Sequence, residues 1–202
     1  MKLLCFSDVH GSTKYVSKIY DKLVTRAKKP DIQAVLCAGD LSDFGSDIDL
    51  AFKRLNSIGK PIFLIHGNHE MNSSIKEAES NFENLINIHK SLKPFHDILI
   101  IGWGGGGFST RDSSFEKFGR KASKLMRKYE KTVLITHAPP HGTRLDVVVK
   151  SHVGNKSITD FIRQYQPTYA LCGHIHEAHG AIQRIKKSVL INLGPKGTII
   201  EF

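Results

Sequence analysis

The stretch MKLLCFSDVHG, residues 1–11, joins an apolar run to a polar loop that contains an aspartate and a histidine. Apolar runs with the length and composition of strands recur at residues 34–37, 61–65, 98–103, 132–135, 169–171, 188–192 and 198–202. Apolar residues at helical spacing predict helices at residues 16–27 and 47–57. Strand, loop, helix and strand in this order predict an α/β fold whose first half carries parallel strands covered by helices.

The later runs follow each other closely, which predicts antiparallel pairing near the C-terminus and favours a mixed sheet or two packed sheets. A glycine-rich segment at residues 102–116 precedes a helix predicted to run to about residue 130, with Ser113 and Glu116 as a capping box. Lysines on one face of this helix, residues 114–130, indicate a solvated surface or, as the alternative, a surface that attracts anions.

A length of 202 residues favours one domain, residues 1–202. The first apolar run is too short for a signal peptide and no run is long enough to span a membrane, so we expect a cytoplasmic protein. Cys5, Cys37 and Cys172 lie in apolar runs and are expected to be buried, reduced thiols. The formal charge of +10 suits an anionic partner without identifying it.

Aspartate, asparagine or histidine follows five of the predicted strands. Each of these residues alone has an ordinary explanation as a cap, a turn or a core histidine, but ligands bind where the carboxyl ends of parallel strands meet. Imidazoles mixed with carboxylates suit manganese, iron, zinc, cobalt or nickel. Seven side chains exceed the needs of one tetrahedral ion and predict two ions that share a carboxylate and attract phosphate. The candidate ligands are Asp8, His10, Asp40, Asn68, His137, His174 and His176.

Three histidines occur within the stretch CGHIHEAHG, residues 172–180. If this stretch is extended, the side chains of His174 and His176 point to the same face and His179 points to the other. We therefore expect His179 to be a loop or surface residue whose removal leaves the metal content unchanged.

The ordered motifs Asp-x-His, Gly-Asp-x-x-Asp, Gly-Asn-His-Glu, His and Gly-His-x-His between residues 8 and 176 resemble the calcineurin-like metallophosphoesterase superfamily. The resemblance implies a four-layer sandwich of two facing mixed β-sheets flanked by helices. It also implies a metal centre in which the first ion is held by Asp8, His10 and His176, the second by Asn68, His137 and His174, and both by Asp40.

The same resemblance implies that His69 lies beside the scissile phosphate, and that Asp43 orients His69. The motifs of the second half are similar to those of the small class III cyclic-nucleotide phosphodiesterase-like proteins, in which His152 and Gly154 would lie near the substrate; a surface-loop histidine is the alternative.

Three further side chains are candidates for substrate binding. Trp103 and Phe108 either stack on a nucleobase or pack a loop, and Arg111 either binds a phosphate or lies in solvent.

The sequence thus predicts a metallophosphoesterase: a dinuclear metal-dependent hydrolase of phosphate esters, and more narrowly a phosphodiesterase on small, nucleotide-like substrates. A metal-bridging hydroxide would be the nucleophile. Manganese is the first metal expected, with iron, zinc, nickel or cobalt as alternatives. Two other functions stay open, a nuclease that acts on DNA or RNA and a non-catalytic interaction module with the same fold. No membrane partner is expected, and a homo-oligomer is left open.

Overall fold

Two β-sheets lie face to face between layers of helices in the computed structural model, which describes residues 1–10 and 14–202. The first sheet has the strand order β13-β1-β2-β3-β4, in which β1 to β4 are parallel and β13 is antiparallel to β1. Its strands are β1 (Lys2–Phe6), β2 (Ile32–Cys37), β3 (Ile62–Leu64), β4 (Leu85–Asn87) and β13 (Thr198–Glu201).

The second sheet has the order β11-β12-β10-β7-β6-β5, with four parallel strands between the two antiparallel edge strands β11 and β5. Its strands are β5 (Ser91–Phe95), β6 (Ile98–Trp103), β7 (Lys131–Thr136), β10 (Tyr169–Cys172), β11 (Ile182–Ile185) and β12 (Ser188–Asn192). A separate antiparallel hairpin consists of β8 (Val147–Val148) and β9 (Ser151–His152).

Helices cover the outer face of each sheet. The first sheet packs against α1 (Lys14–Ala27), α2 (Ile48–Asn56) and α3 (Asn72–Asn81), and the second against α4 (Ser113–Met126) and α5 (Lys156–Tyr165). A short 3-10 helix, His176–Ala178, follows β10.

Side-chain alternation along the central strands produces this layering. In β1, Leu4 and Phe6 pack against the helices, whereas Leu3 and Cys5 pack between the sheets. Strands that are buried on both faces carry apolar residues along nearly their whole length, which agrees with the apolar runs in the sequence. The predicted four-layer α/β fold is confirmed.

The predicted antiparallel pairing near the C-terminus is correct only in part. Strands β10 and β12 pair in parallel, because β11 lies between them in the chain and reverses its direction. This strand, with the sequence IQRI, is half exposed, so its apolar signal is weak.

The predicted start and end of α4 are also corrected. Asp112, not Ser113, caps the helix, since its carboxylate accepts hydrogen bonds from the backbone N–H groups of Ser114 and Phe115. The helix ends at Met126 because β7 begins at Lys131. Its lysines are exposed.

Cys5, Cys37 and Cys172 are buried and unpaired, as expected, and burial raises the pKa of each thiol. In residues 1–10 and 14–202, no helix combines the length and the apolar character needed to cross a membrane. The side chain of Val16, at the start of the predicted apolar helix face, lies outside the described part of the chain.

Candidate metal centre

The loops after β1, β2, β3, β7 and β10 meet at one end of the two sheets and bring the seven predicted ligands together. Four of these residues have left-handed backbones, with φ of 53° at Asp8, 42° at His10, 55° at Asp40 and 72° at His174. This conformation costs a residue other than glycine about 1–3 kcal/mol, and such strain concentrates at functional sites. The surrounding fold therefore holds these four side chains in positions that the local sequence disfavours.

The first ligand group contains Asp8, His10 and His176, whose ligand atoms all lie within 4.8 Å of one another. The Nε2 atoms of His10 and His176 are 3.0 Å apart, and each lies 4.0 Å from Oδ1 of Asp8. Two imidazole nitrogens and a carboxylate oxygen therefore converge on one small volume, which is the geometry of a metal-ligand set.

The second ligand group contains Asp40, His137 and His174, again with ligand atoms within 4.8 Å of one another. Nε2 of His137 lies 3.2 Å from Oδ2 of Asp40 and 2.9 Å from Oδ1 of Asn68. The same Oδ2 of Asp40 is 3.6 Å from Nε2 of His10, a member of the first group. Asp40 thus lies between the two groups, where the family resemblance requires a bridging carboxylate.

Electrostatics at the centre favour a positive charge. Burial alone would raise the pKa of Asp40, but the hydrogen bond and charge of His137 hold it well below its usual range. Burial would lower the pKa of His137, yet Asp40 and Asp8 raise it to about 9. In the described part of the chain, the buried Nε2 of His174 has no hydrogen-bond partner. An unpartnered imidazole nitrogen beside buried carboxylates fits a divalent cation, so the residues present fit divalent-metal binding.

Glu70 fixes the relative position of two of the ligand loops. Its Oε2 accepts hydrogen bonds from the backbone N–H groups of Asp40 and Gly67, and its Oε1 accepts one from Leu41. A Cβ on Gly67 would overlap the Asp40 carboxylate, so this approach requires glycine. Sequence reasoning missed this role of Glu70; an acidic residue beside the Asn-His pair was the only available signal.

His69 lies at the edge of the centre and forms, with His10 and Asp40, a third group whose possible ligand atoms lie within 4.8 Å of one another. Its backbone N–H donates to Oδ1 of Asp40 at 2.9 Å, and its ring packs between His10, at 4.6 Å, and Phe44, at 4.1 Å. Asp43 lies near the rings of both His10 and His69, and its expected role in orienting His69 stays a prediction. Oδ1 of Asp43 is 3.1 Å from Nδ1 of His10 but 3.9 Å from Nδ1 of His69, beyond hydrogen-bond length. Asp43 therefore orients His10, a predicted metal ligand.

His179 lies in the loop after the 3-10 helix, as expected, but it contacts a predicted ligand. Nε2 of His179 lies 3.3 Å from Oδ2 of Asp8, and its ring packs 4.8 Å from that of His176. The strand alternation assumed for this stretch does not apply, because β10 ends at Cys172, His174 is left-handed and a 3-10 helix begins at His176. The turn brings all three histidines to the same side.

His152 and Gly154 are organised by the buried carboxylate of Asp146. Nδ1 of His152 lies 2.8 Å from Oδ1 of Asp146, and the backbone N–H of Gly154 donates to Oδ2 at 2.9 Å. A Cβ on Gly154 would overlap Asp146 and the carbonyl oxygen of Pro139. Gly154 therefore has a structural reason to be glycine, while the half-exposed ring of His152 remains open to a ligand.

The remaining candidates differ in how accessible they are. Trp103 is only 6% exposed and its indole N–H donates to Asp112, so its contacts are those of a packed loop. Arg111 pairs with Glu116 and Asp160 at 3.2 Å each. Phe108, in contrast, is 68% exposed and its ring lies 4.6 Å from that of His174. Of the two aromatic candidates, Phe108 offers an open face at the centre.

Comparison with known proteins shows similarity of sequence and of fold. The chain is 27% identical to protein MJ1162 of Methanocaldococcus jannaschii, over 99% of this chain and 91% of that protein. Its fold matches the crystal structure of TT1561 of Thermus thermophilus, with a TM-score of 0.73 at 14% identity, over 96% of this chain and 90% of that one. It also matches a dimetal phosphatase from Danio rerio, with a TM-score of 0.70 at 11% identity, over 96% and 88% of the two chains.

The family model described as calcineurin-like phosphoesterase matches residues 1–178, most of the chain and all of the ligand loops. The grouped aspartates and histidines are of the kind that a divalent metal ion requires. The chain is therefore a member of the calcineurin-like phosphoesterase family, a family of metal-dependent phosphoester hydrolases.

Proposed function

We propose that this chain is a phosphodiesterase with two divalent metal ions, acting on small organic phosphodiesters such as nucleotides. The observation that carries the proposal is the position of Asp40, whose Oδ2 lies 3.6 Å from His10 of the first ligand group and 3.2 Å from His137 of the second. A carboxylate shared by two sets of imidazoles supports a pair of ions rather than a single one.

Two ions held there would supply an activated water and positive charge for the oxygens of the phosphate. The protein itself contributes orientation: Asp8, His10 and His176 would fix one ion, and Asn68 and His137 belong to the other set. The ring of His69, whose side chain is 22% exposed, lies beside His10 and would donate a hydrogen bond to a phosphoryl oxygen. The same ring could protonate the leaving oxygen, as a general acid.

Two features support an organic diester as substrate. Phe108 presents an exposed aromatic face 4.6 Å from His174, which suits an aryl group or a nucleobase on one arm of the phosphate. The formal charge of +10 attracts anionic ligands. The buried, unpaired cysteines support a reducing compartment such as the cytoplasm.

The test is a turnover assay with an aryl phosphodiester and the matching aryl phosphomonoester, after loading the protein with manganese, nickel, cobalt or zinc. We expect turnover that depends on the metal, with the higher kcat/KM on the diester and the highest rate with manganese. Absence of turnover with every metal would contradict a hydrolase. Turnover confined to the monoester would contradict the diester assignment alone.

A further inference from the structure

An open cavity of about 620 Å³ lies between the β8–β9 hairpin and β11, outside the ligand groups of the metal centre. We refer to it as the arginine cavity. It is lined chiefly by Arg144, Val147, His152, Ile182, Gln183 and Arg184.

Among the described residues, the two arginines of the arginine cavity are not paired with carboxylates, and the carboxylate behind its wall, Asp146, is buried and hydrogen-bonded to His152 and backbone N–H groups. No carboxylate side chain lines the cavity itself, and neither Arg144 nor Arg184 forms an ion pair with a residue that the structure describes. Two unpaired guanidinium groups at one cavity form an attractive site for a phosphate, which they can bind through paired hydrogen bonds.

The cavity also exposes apolar surface. Val147 is 37% exposed and Ile182 is 55% exposed, and both are among the larger apolar side chains that reach solvent. Apolar side chains beside cationic groups fit an organic anion better than an inorganic one, because the body of the ligand can cover them.

The walls of the cavity are held firmly. Buried Asp146 accepts hydrogen bonds from Gly142, Thr143 and Gly154 and fixes the ring of His152 through Nδ1. Across the cavity, the side-chain oxygen of Gln183 accepts from the backbone N–H of Arg144 at 2.7 Å, joining β11 to the loop before β8. The cationic side chains therefore project from a backbone that is already ordered.

This backbone is tied directly to the loop of the metal ligands. The amide nitrogen of buried Asn192 donates to the carbonyl oxygens of Leu145, Gly173 and Ile175 at 3.1 to 3.3 Å. Gly173 and Ile175 flank His174, and strand β8 also contacts the 3-10 helix that begins at His176. One side chain thus links the loop before β8, which carries Arg144, to the loop that carries His174.

From these contacts we infer that the arginine cavity binds a second phosphate of the substrate while the scissile phosphate lies at the metal centre. This inference rests on the proposed function and narrows its substrate class. The substrate would be a phosphodiester whose organic arm carries another phosphate group. Arg144 and Arg184 bind that phosphate, and Val147 and Ile182 contact the organic arm.

A matched pair of substrates tests the inference with the metal-loaded full chain. Both are p-nitrophenyl esters of thymidine 5'-phosphate, one with a free 3'-hydroxyl and the other with a 3'-phosphate. We expect kcat/KM for the 3'-phosphorylated ester to exceed that for the other by about tenfold or more, because hydrogen bonds between charged groups discriminate by at least this factor. The double variant R144Q/R184Q should reduce this preference about tenfold, while R163Q, the same change at an exposed arginine of α5 outside the cavity, should retain it.

Binding measurements separate this inference from the proposed function. By calorimetry, thymidine 3',5'-bisphosphate should bind the metal-loaded protein more tightly than thymidine 5'-phosphate, and R144Q/R184Q should remove the difference. If the difference is present but neither ester is hydrolysed, the proposed function is wrong and the cavity assignment stands. If both esters are hydrolysed with equal kcat/KM, or if R163Q changes the preference as much as the double variant, the cavity assignment is wrong.

Discussion

Three neighbours hold the carboxylate of Asp8 in place and leave Oδ1 able to bind an ion. Its Oδ2 accepts hydrogen bonds from the hydroxyl of Ser7 and from Nε2 of His179, and its Oδ1 accepts from the backbone N–H of His174. The carboxylate therefore presents Oδ1 to His10 and His176 in one orientation. The sequence identifies Asp8 itself but not His179, because the contact depends on a turn that a period of two cannot reproduce.

A substitution at His179 should weaken metal binding. In H179F the ring still packs against Gly194 and His176 but donates no hydrogen bond to Asp8, whereas H179Q retains a donor. We expect H179F to lower manganese affinity about 10- to 100-fold, the usual effect of losing a partner of a metal ligand, and H179Q to lower it less. Calorimetric titration with Mn²⁺ measures both. Equal affinities for the wild type and H179F would contradict the role.

Substitutions of His69 and of Asp40 should distinguish a loss of catalysis from a loss of metal binding. H69Q removes an imidazole that is not among the seven predicted ligands, although its ring lies near His10 and Asp40, so most of the metal content should persist while kcat falls about 100-fold or more. D40N replaces the carboxylate between the two ligand groups with a neutral amide, which is a weaker metal ligand. Both the metal content and turnover should therefore fall. Metal analysis of the purified variants, together with kcat on an aryl diester, distinguishes the two outcomes. A fully active H69Q enzyme would refute the role given to His69.

At the scale of elements, the loop from β7 to α5 is organised around one carboxylate. Burial alone would raise the pKa of Asp146, but hydrogen bonds from the N–H groups of Thr143 and Gly154 and from His152 hold it below its usual range. This loop carries the β8–β9 hairpin and one wall of the arginine cavity. Asp146 therefore couples the stability of the loop to the shape of that cavity.

The variant D146N should be destabilised in a pH-dependent way. It leaves buried backbone donors without an anionic acceptor, which costs about 3 kcal/mol of unfolding free energy at pH 7. Because the folded-state pKa of Asp146 is depressed, its contribution is present above the unfolded value near 3.9 and is lost as the pH falls through the lower folded value. Urea unfolding at pH 7 and at pH 3 should show the difference between wild type and variant shrink at the lower pH. A constant difference would contradict this account.

Elements with strong apolar patterns could be predicted from the sequence, and weakly patterned ones could not. The central strands β1, β2, β6 and β7 are buried on both faces, and their apolar runs predict strands clearly. Helix α3 has the sequence NSSIKEAESN and buries only Ile75 and Ala78, so it carries no clear helical stripe. Strand β11 and the β8–β9 hairpin are short and largely exposed, so the arginine cavity that they border could not be anticipated.

At the scale of the whole molecule, the two sheets each contribute one part of the metal centre. The first sheet supplies Asp8, His10, Asp40 and Asn68, and the second supplies the other histidines. The sequence predicted this convergence because each ligand follows a strand, and the family resemblance supplied their grouping. Contacts that depend on tertiary geometry, such as those of Asp43 with His10 and of Glu70 with two loops, became visible only in the folded chain.

Metal removal should therefore destabilise the fold as a whole. Ions that bind ligands from both sheets bind the folded state in preference to the unfolded one. At a free-metal concentration of 100 times Kd, such binding adds about 2.7 kcal/mol per site to the free energy of unfolding. We expect chelation to lower the thermal midpoint by several degrees, and Mn²⁺ to restore it. Thermal unfolding of the chelated and the reloaded protein measures the shift, and D40N, which weakens both sites, should show a smaller one. An identical thermal midpoint with and without metal would contradict the expectation that bound ions link the two sheets.

The most direct test of the dinuclear centre is the anomalous diffraction of crystals of the Mn²⁺-loaded protein. We expect two anomalous peaks roughly 3.5 to 4 Å apart. One ion should be bound by Asp8, His10 and His176, and the other ion by Asn68, His137 and His174. The Asp40 carboxylate should contact both ions. A single peak at full manganese loading, or two peaks without Asp40 between them, would contradict the account.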